Sequence, residues 1–239
     1  MISVVCVFNN REKCEKYLLS SLKMQRAPYE LILLDNTKSE YPSAASALNV
    51  GGGRAQGDYI LFIHQDMQFD SETWLSDMEN ILRSLQDIGI AGLAGKTDSK
   101  GVISNIMHGV PPRPAGDEMI QCVETAQTVD ECALIIPKEK FRHIKFDEAV
   151  CDDWHLYGVE YSLSVIKINM NVFVLPLVAY HGSAASSMSD NYYKTMRKVI
   201  KKHKMDHKII YTTMGDWRTN LPLFFYKRIK LILYKKFFQ

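Results

Sequence analysis

Residues Asp58 to Asp66, DYILFIHQD, decide the fold. Tyr59, Ile60, Leu61, Phe62 and Ile63 show no polar–apolar alternation, which is the pattern of a strand covered on both faces in a parallel sheet. Such sheets bind ligands at the carboxyl edge of their strands. The run carries His64, Gln65 and Asp66 to its own C-terminal end, where an acid belongs at a mouth or a turn rather than in the core. On position alone Asp66 is either a turn cap or a site residue.

Working outward toward the N-terminus, the apolar stretch Ile2 to Phe8 ends at Asn9-Asn10, and Cys14, Leu18 and Leu22 then recur at helical spacing. Ala27-Pro28-Tyr29 breaks that helix. Leu31 to Leu34 follows as a second short strand, ending at Asp35-Asn36. Ala44, Ala45, Ala47 and Leu48 lead into Asn49-Val50-Gly51-Gly52-Gly53-Arg54, where glycines permit a close backbone approach.

Toward the C-terminus, Trp74, Leu75, Met78, Ile81, Leu82, Leu85 and Ile88 predict an amphipathic helix beginning near Asp70-Ser71. Ile90 to Ala94 predicts a strand, and residues from about Lys96 to Thr128 predict an irregular segment flanking the site. Ala133 to Ile136 is a further strand, Trp154 to Ile168 a helix, and Val172 to Leu175 a last buried strand leading to Tyr180-His181-Gly182. This alternation predicts an α/β fold: a mostly parallel central sheet with helices on both faces and right-handed crossovers. Asp35, Asp66 and His181 then converge at one edge.

A chain of 239 residues, 46% of them hydrophobic, can bury a real core as one large α/β domain or two small ones. Cys6, Cys14, Cys122, Cys132 and Cys151 are odd in number and contain no CxxC pair, which argues against a disulfide framework and against a zinc site. MISVVCVFNN has no basic residue before its apolar segment, so it reads as a first strand rather than a secretory signal, and the expected compartment is the cytoplasm. The net charge of +2 hides an asymmetry: from Asn191 onward there are 13 Lys or Arg against 2 acids, and before it 16 against 25. Interleaved with the aromatics and aliphatics of LPLFFYKRIKLILYKKFF, this basic segment favours an anionic membrane surface over nucleic acid. Lys227, Arg228 and Lys230 interrupt the run well short of the roughly 20 residues that a spanning helix needs.

Five pieces in order resemble the nucleotide-sugar-dependent glycosyltransferases of the GT-A fold, in particular family two. They are ISVVCVFNN, LILLDNTKS, ALNVGGGRAQGDYILFIHQD, TVDECALIIPKEKF, and FDEAVCDDWHLYGVEYSLSVI followed by VLPLVAYH. The resemblance covers roughly residues 2 to 185. It implies a GT-A domain over residues 1–189, divided into a nucleotide-sugar-binding half (1–95) and an acceptor-binding half (96–189). Residues 190–239 are then a basic amphipathic C-terminal segment lying on the inner face of the cell membrane.

By that resemblance the activity is inverting transfer of a sugar from a UDP- or dTDP-sugar to a hydroxyl of a glycan or lipid-linked glycan in cell-surface polysaccharide synthesis. Departure of the diphosphate builds negative charge, which a divalent Mn or Mg ion neutralises. Asp66 matches the last acid of the family's D-x-D motif and His181 its late metal-ligating histidine. His64 stands where the first acid is expected and either hydrogen-bonds the donor or binds a softer metal. Asp35, with Phe8 and Asn9, matches the nucleobase pocket, although Asp35 also suits a turn cap. Asn49 and Gln65 belong to the same donor-side segments, and Arg54 reaches a phosphate or lies on a solvated helix face.

Proton abstraction from the acceptor falls to Asp153 or to Glu160, because Gly158 occupies the place of the family's basic carboxylate. Asp130, Trp154 and His155 are expected to face the acceptor. The missing first acid and the altered base segment also fit a catalytically inactive sugar-nucleotide-binding or membrane-scaffold protein of the same fold. A sugar-phosphate nucleotidyltransferase fits less well, because FNNREKC replaces the glycine-rich turn after the first strand.

Overall fold

The computed structural model describes residues 1–183, 188–220 and Phe224. Seven strands form the central sheet: β1 (Ile2–Phe8), β2 (Tyr29–Asp35), β3 (Tyr59–Ile63), β4 (Ile88–Gly92), β5 (Glu124–Thr125), β6 (Ala133–Pro137) and β7 (Asn171–Val174). Their spatial order is β5-β7-β4-β6-β3-β1-β2. β1 runs parallel to β2 and β3, and β7 parallel to β4, whereas β6 lies antiparallel between β3 and β4. The reversal of β6 decides the site. Ala133 pairs with Ile63, so the N-terminal end of β6 sits at the edge where β3 ends.

The unbroken apolar character of these strands has a direct cause. Successive side chains of a strand point to opposite faces, and both faces of this sheet are covered. Leu61 and Ile63 of β3 enter one core cluster with Cys14, Leu18 and Leu22 of α1 and with Trp74, Leu75, Met78 and Leu82 of α3. Here α1 passes from Arg11–Cys14 through a π-helical Glu15–Leu19 to Ser20–Leu22, α2 is Ala44–Arg54 and α3 is Trp74–Ser84. Ile60 and Phe62 enter a second cluster on the other face, with Ala44, Ala45, Ala47 and Leu48 of α2, Phe141 of α4 (Lys138–His143), and Tyr157, Tyr161 and Val165 of α5 (Tyr157–Ile166). Gly52 is required in α2, since a Cβ there would stand 2.2 Å from the Phe141 ring.

Helix α5 is apolar nearly all round because it is covered on both sides. Its outer residues Val159 and Leu163, with Leu156 just before it, form a third cluster with Tyr192, Met196, Val199 and Ile200 of α6 (Asp190–His203) and with Ile210 and Trp217 of the hairpin Ile209–Thr212/Gly215–Arg218. Phe224 joins the same cluster. The stretch expected to be irregular, 96–128, contains short strands. Ile106–His108 pairs in parallel with β8 (Ala179–His181), which also pairs with Met67–Phe69 and so brings His181 opposite Met67. No helix of the described residues is long and apolar enough to cross a membrane. Apart from Phe224, residues 221–239 of the expected membrane-binding segment lie outside the described residues.

Candidate active site

A cavity of about 470 Å³ opens at the sheet edge where β1 and β3 end. Asn9 after β1, Asn36 after β2, His64, Gln65 and Asp66 after β3, and Asp130 and Glu131 before β6 line it, with Trp154, His155 and Tyr157 closing one side and His181 and Ser183 another. Parallel strands present their C-terminal ends here, and the reversed β6 presents its N-terminal end.

His64, Asp66 and His181 each turn a ligand atom inward, all within 4.8 Å of one another. Asp66 is 7% exposed; its Oδ1 lies 3.2 Å from His181 Nε2, and its Oδ2 accepts from Ser183 Oγ at 2.7 Å. Burial alone would push the Asp66 carboxyl up, but His181, Ser183 and His64 together hold it well below the usual carboxylate range. It is an anion at any ordinary pH. Burial, reinforced by His181, lowers the His64 pKa and keeps that ring neutral at pH 7. The Tyr157 hydroxyl donates to the Glu131 carbonyl at 3.3 Å and stands 3.1 Å from His64 Nε2. With the Tyr157 proton on the Glu131 carbonyl, His64 would carry its own proton on Nε2 and its Nδ1 lone pair would be open to an ion. Two imidazoles and one carboxylate fit a divalent transition ion such as manganese better than magnesium, which prefers oxygen ligands throughout.

Gln65 has a mechanical task beside its place in the wall. Its Oε1 accepts from the backbone N–H groups of Asn9 and Asn10 at 3.1 and 2.9 Å, and its Nε2 donates to Asn9 Oδ1 at 2.7 Å. The loop after β1 is thereby fastened to the end of β3. Asp130 is likewise engaged: Oδ1 accepts from Cys132 N at 3.1 Å and Oδ2 from Thr213 Oγ1 at 2.7 Å.

Several expected site residues stand elsewhere. Phe8 is buried in the first core cluster and does not line the cavity, whereas its neighbours Val7 and Asn9 do. Asp35 is exposed just past the wall; Oδ1 accepts from Thr37 N and Oγ1, as a turn cap does, and Oδ2 pairs with Arg11 at 3.2 Å. Asn49 clamps the chain before α5, exchanging hydrogen bonds with the Phe146 backbone. Arg54 is exposed in the last turn of α2, about 15 Å along the helix axis from Ala44 at the cavity end.

Neither expected base reaches the cavity. The carboxylate of Asp153 accepts from Trp154 N at 2.6 Å and from Asn191 Nδ2 at 2.7 Å. Glu160 is 1% exposed and turns toward α6, where Lys202 and His203 hold it at 2.6 and 3.2 Å, while Ser164, one turn on in α5, donates at 2.7 Å. The reason is that α5 starts at Tyr157, three residues later than the sequence pattern suggests. Leu156 precedes it in the left-handed region at φ +66°, which costs a non-glycine residue roughly 1 to 2 kcal/mol. This turn leaves Trp154 and His155 on the cavity wall, ahead of the helix. Glu131, Tyr157 and Ser183 are wall residues that the sequence reading missed. Glu131 did carry a signal: two acids immediately before an apolar run mirror Asp66 immediately after one.

Comparison with known proteins gives the family and the fold. A family model described as a glycosyltransferase-like family matches residues 2–205. No curated protein matches the sequence. Among solved structures, the chain is similar to residues 1–349 of TarS from S. aureus in complex with UDP-GlcNAc (TM-score 0.55, 17% identity, covering 84% of this chain and 66% of that one). It is also similar to the mannosyltransferase PcManGT from Pyrobaculum calidifontis in complex with GDP-Man and Mn²⁺ (TM-score 0.59, 11% identity, covering 87% and 65%). GalNAc-T7 with UDP, GalNAc and Mn²⁺ superposes with a TM-score of 0.60 at 12% identity, covering 83% and 47%. At these identities the likeness is one of fold. The chain spans less than two thirds of the length of each of these neighbours.

Proposed function

Since this chain belongs to the glycosyltransferase-like family, we propose that it moves a sugar from a nucleoside diphosphate sugar to a hydroxyl of a glycan or lipid-linked glycan, with inversion at the transferred carbon. The observation that carries the reading is the His64–Asp66–His181 constellation at the end of β3, opening onto a cavity of about 470 Å³. His64, Asp66 and His181 hold a divalent ion, manganese in preference to magnesium. When bound, that ion offsets the charge that develops on the departing diphosphate. Asn9, on the cavity wall at the end of β1, takes the nucleobase side; Asp35, just past the wall at the end of β2, accepts the N–H of a pyrimidine ring by exchanging its Arg11 partner for the ring, so UDP or dTDP donors are preferred. Asp130, Trp154 and His155 take the acceptor side. Trp154 supports this role by its exposure, 41%, which is high for a large aromatic unless it stacks on a ligand.

The proposal extends to surface-polysaccharide synthesis at the inner face of the membrane, with the basic segment 190–239 meeting anionic lipid. Salt-sensitive sedimentation with anionic liposomes tests that contact, and sedimentation indifferent to the lipid charge would remove it.

Release of nucleoside diphosphate from a panel of sugar nucleotides, with Mn²⁺ and with EDTA, tests the reaction. The expected result is turnover with at least one pyrimidine donor, lost in EDTA and reduced at least about a hundredfold in Asp66→Asn, the size typical of removing one preorganised charge-stabilising group. Undiminished turnover in EDTA would remove the metal from the proposal. No turnover with any donor would favour a protein that binds sugar nucleotides without transferring them, a reading supported by His64 in place of an acid.

A further inference from the structure

Three carboxylates line the cavity: Asp66, Asp130 and Glu131. Asp66 is engaged by His181 and Ser183, and both oxygens of Asp130 accept hydrogen bonds from Cys132 N and Thr213 Oγ1. Glu131 differs. Its Oε1 is sealed from bulk solvent and has no hydrogen-bond partner among the described residues. An unpartnered buried carboxylate oxygen costs on the order of 1 to 3 kcal/mol and calls for an explanation in a folded protein.

The surroundings of Glu131 supply one. It lies against the first turn of α5, where Gly158 has no side chain; a Cβ on Gly158 would stand 3.3 Å from Glu131 Cγ. Leu134 and Glu131 together occupy the space that a side chain at Gly158 would claim, Leu134 Cδ2 standing nearest at 3.1 Å. Burial and the adjacent Asp130 push its carboxyl up to about 8, against the pull of backbone N–H groups of Val159, Gly158 and Leu156 at the positive end of the helix. A raised carboxyl is a stronger base in its ionised fraction, and a value near the working pH balances that basicity against the share that is ionised. Titratable groups also face it from every side: Asp130 and Cys132 on its own strand end, Tyr157 on α5, Cys151 on the preceding loop and Tyr192 on α6.

Resting on the glycosyl-transfer reading above, we propose that Glu131, reaching the cavity from the start of the reversed strand β6, is the general base of the reaction. As the acceptor oxygen forms its bond to the anomeric carbon, the bond from that carbon to the diphosphate oxygen breaks and its electron pair leaves with the diphosphate. The acceptor's hydroxyl proton passes to Oε2 of Glu131, since Oε1 is sealed away, and Oε2 returns it to solvent after the product departs. Asp153 and Glu160 take no proton in this step, since neither lines the cavity.

Glu131→Gln in the full chain tests the assignment, using the donor that the wild type turns over and a hydroxyl acceptor. The expected result is a kcat lowered about 10² to 10⁴-fold, the usual range for a lost general base, with UDP affinity in Mn²⁺ unchanged and thermal stability no lower than wild type. Sodium formate should restore at least a tenth of the lost turnover to Glu131→Ala by supplying the missing carboxylate, an effect that a purely structural residue would not show. A Glu131→Gln kcat within threefold of wild type overturns the assignment and leaves the transferase reading standing. Loss of the folded state in both variants makes Glu131 structural and also overturns it. A wild type that releases nucleoside diphosphate from no donor removes the transferase reading, and the base with it.

Discussion

Asp66, Glu131 and Glu160 are three carboxylates in one molecule, and their partners decide what each does. Glu160 is as buried as any charged group here, yet burial does not neutralise it; hydrogen bonds from His203, Lys202 and Ser164 outweigh desolvation and hold its pKa below the ordinary glutamate value. Its contribution to stability is therefore complete above about pH 4.5 and is lost as the pH falls through the depressed folded-state value. Breaking a buried pair leaves uncompensated charge on its partners, typically at about 3 to 5 kcal/mol. Glu160→Gln should accordingly lower the melting temperature markedly at pH 7 and flatten the acid limb of the stability curve, while turnover per folded molecule falls little. Wild-type stability with a dead enzyme would instead return the proton-transfer role to Glu160. Asp66 was legible as an edge residue, because an acid ending an apolar run belongs at a mouth or a turn; its contacts with His181 and Ser183 were not. Glu160 was not, because its partners Lys202 and His203 lie more than 40 residues away and no local pattern announces them.

At the scale of elements, the periodicity of each strand and helix was legible because burial on both faces erases alternation and burial on one face of a helix leaves a 3.6-residue stripe. Helix starts were harder to read. The apolar pattern around Trp154 extends past the true start of α5 because Trp154, on a loop, faces a cavity instead of a core. The direction of β6 was also hidden, since Ala133–Pro137 reads the same apolar way in either orientation; only its pairing with β3 shows that Asp130 and Glu131 stand at the cavity rather than at the opposite edge. Asn49 illustrates how an element boundary can pass for a binding residue. Its amide accepts from Phe146 N at 3.0 Å and donates to Phe146 O at 2.9 Å, tying α2 to the chain that enters α5. Asn49→Ala should cost about 1 to 3 kcal/mol by leaving those backbone groups unsatisfied, with UDP affinity unchanged, as unfolding and calorimetry would report. A tenfold loss of UDP affinity at full stability would restore Asn49 to the donor site.

Taken whole, the molecule is a two-faced sheet whose cavity lies at one edge, with a third core cluster built by α6 and the C-terminal hairpin against α5. That third cluster had no clear signature in the sequence, because the basic residues of 190–220 dominate its composition while Tyr192, Met196, Ile200 and Trp217 turn inward. Its consequence for the site is enclosure: α6 and the hairpin pack on the outer side of α5, and Tyr192 and Met214 complete the cavity wall beside Trp154. The proposed donor, metal and base sites stand at the ends of the adjacent strands β1, β3 and β6 on one edge. Anomalous diffraction at the manganese edge, from crystals grown with Mn²⁺ and UDP, tests this assignment most directly. The account predicts one manganese peak ligated by His64, Asp66 and His181 and touching the diphosphate; UDP bound in the cavity with manganese absent from those three side chains would contradict it.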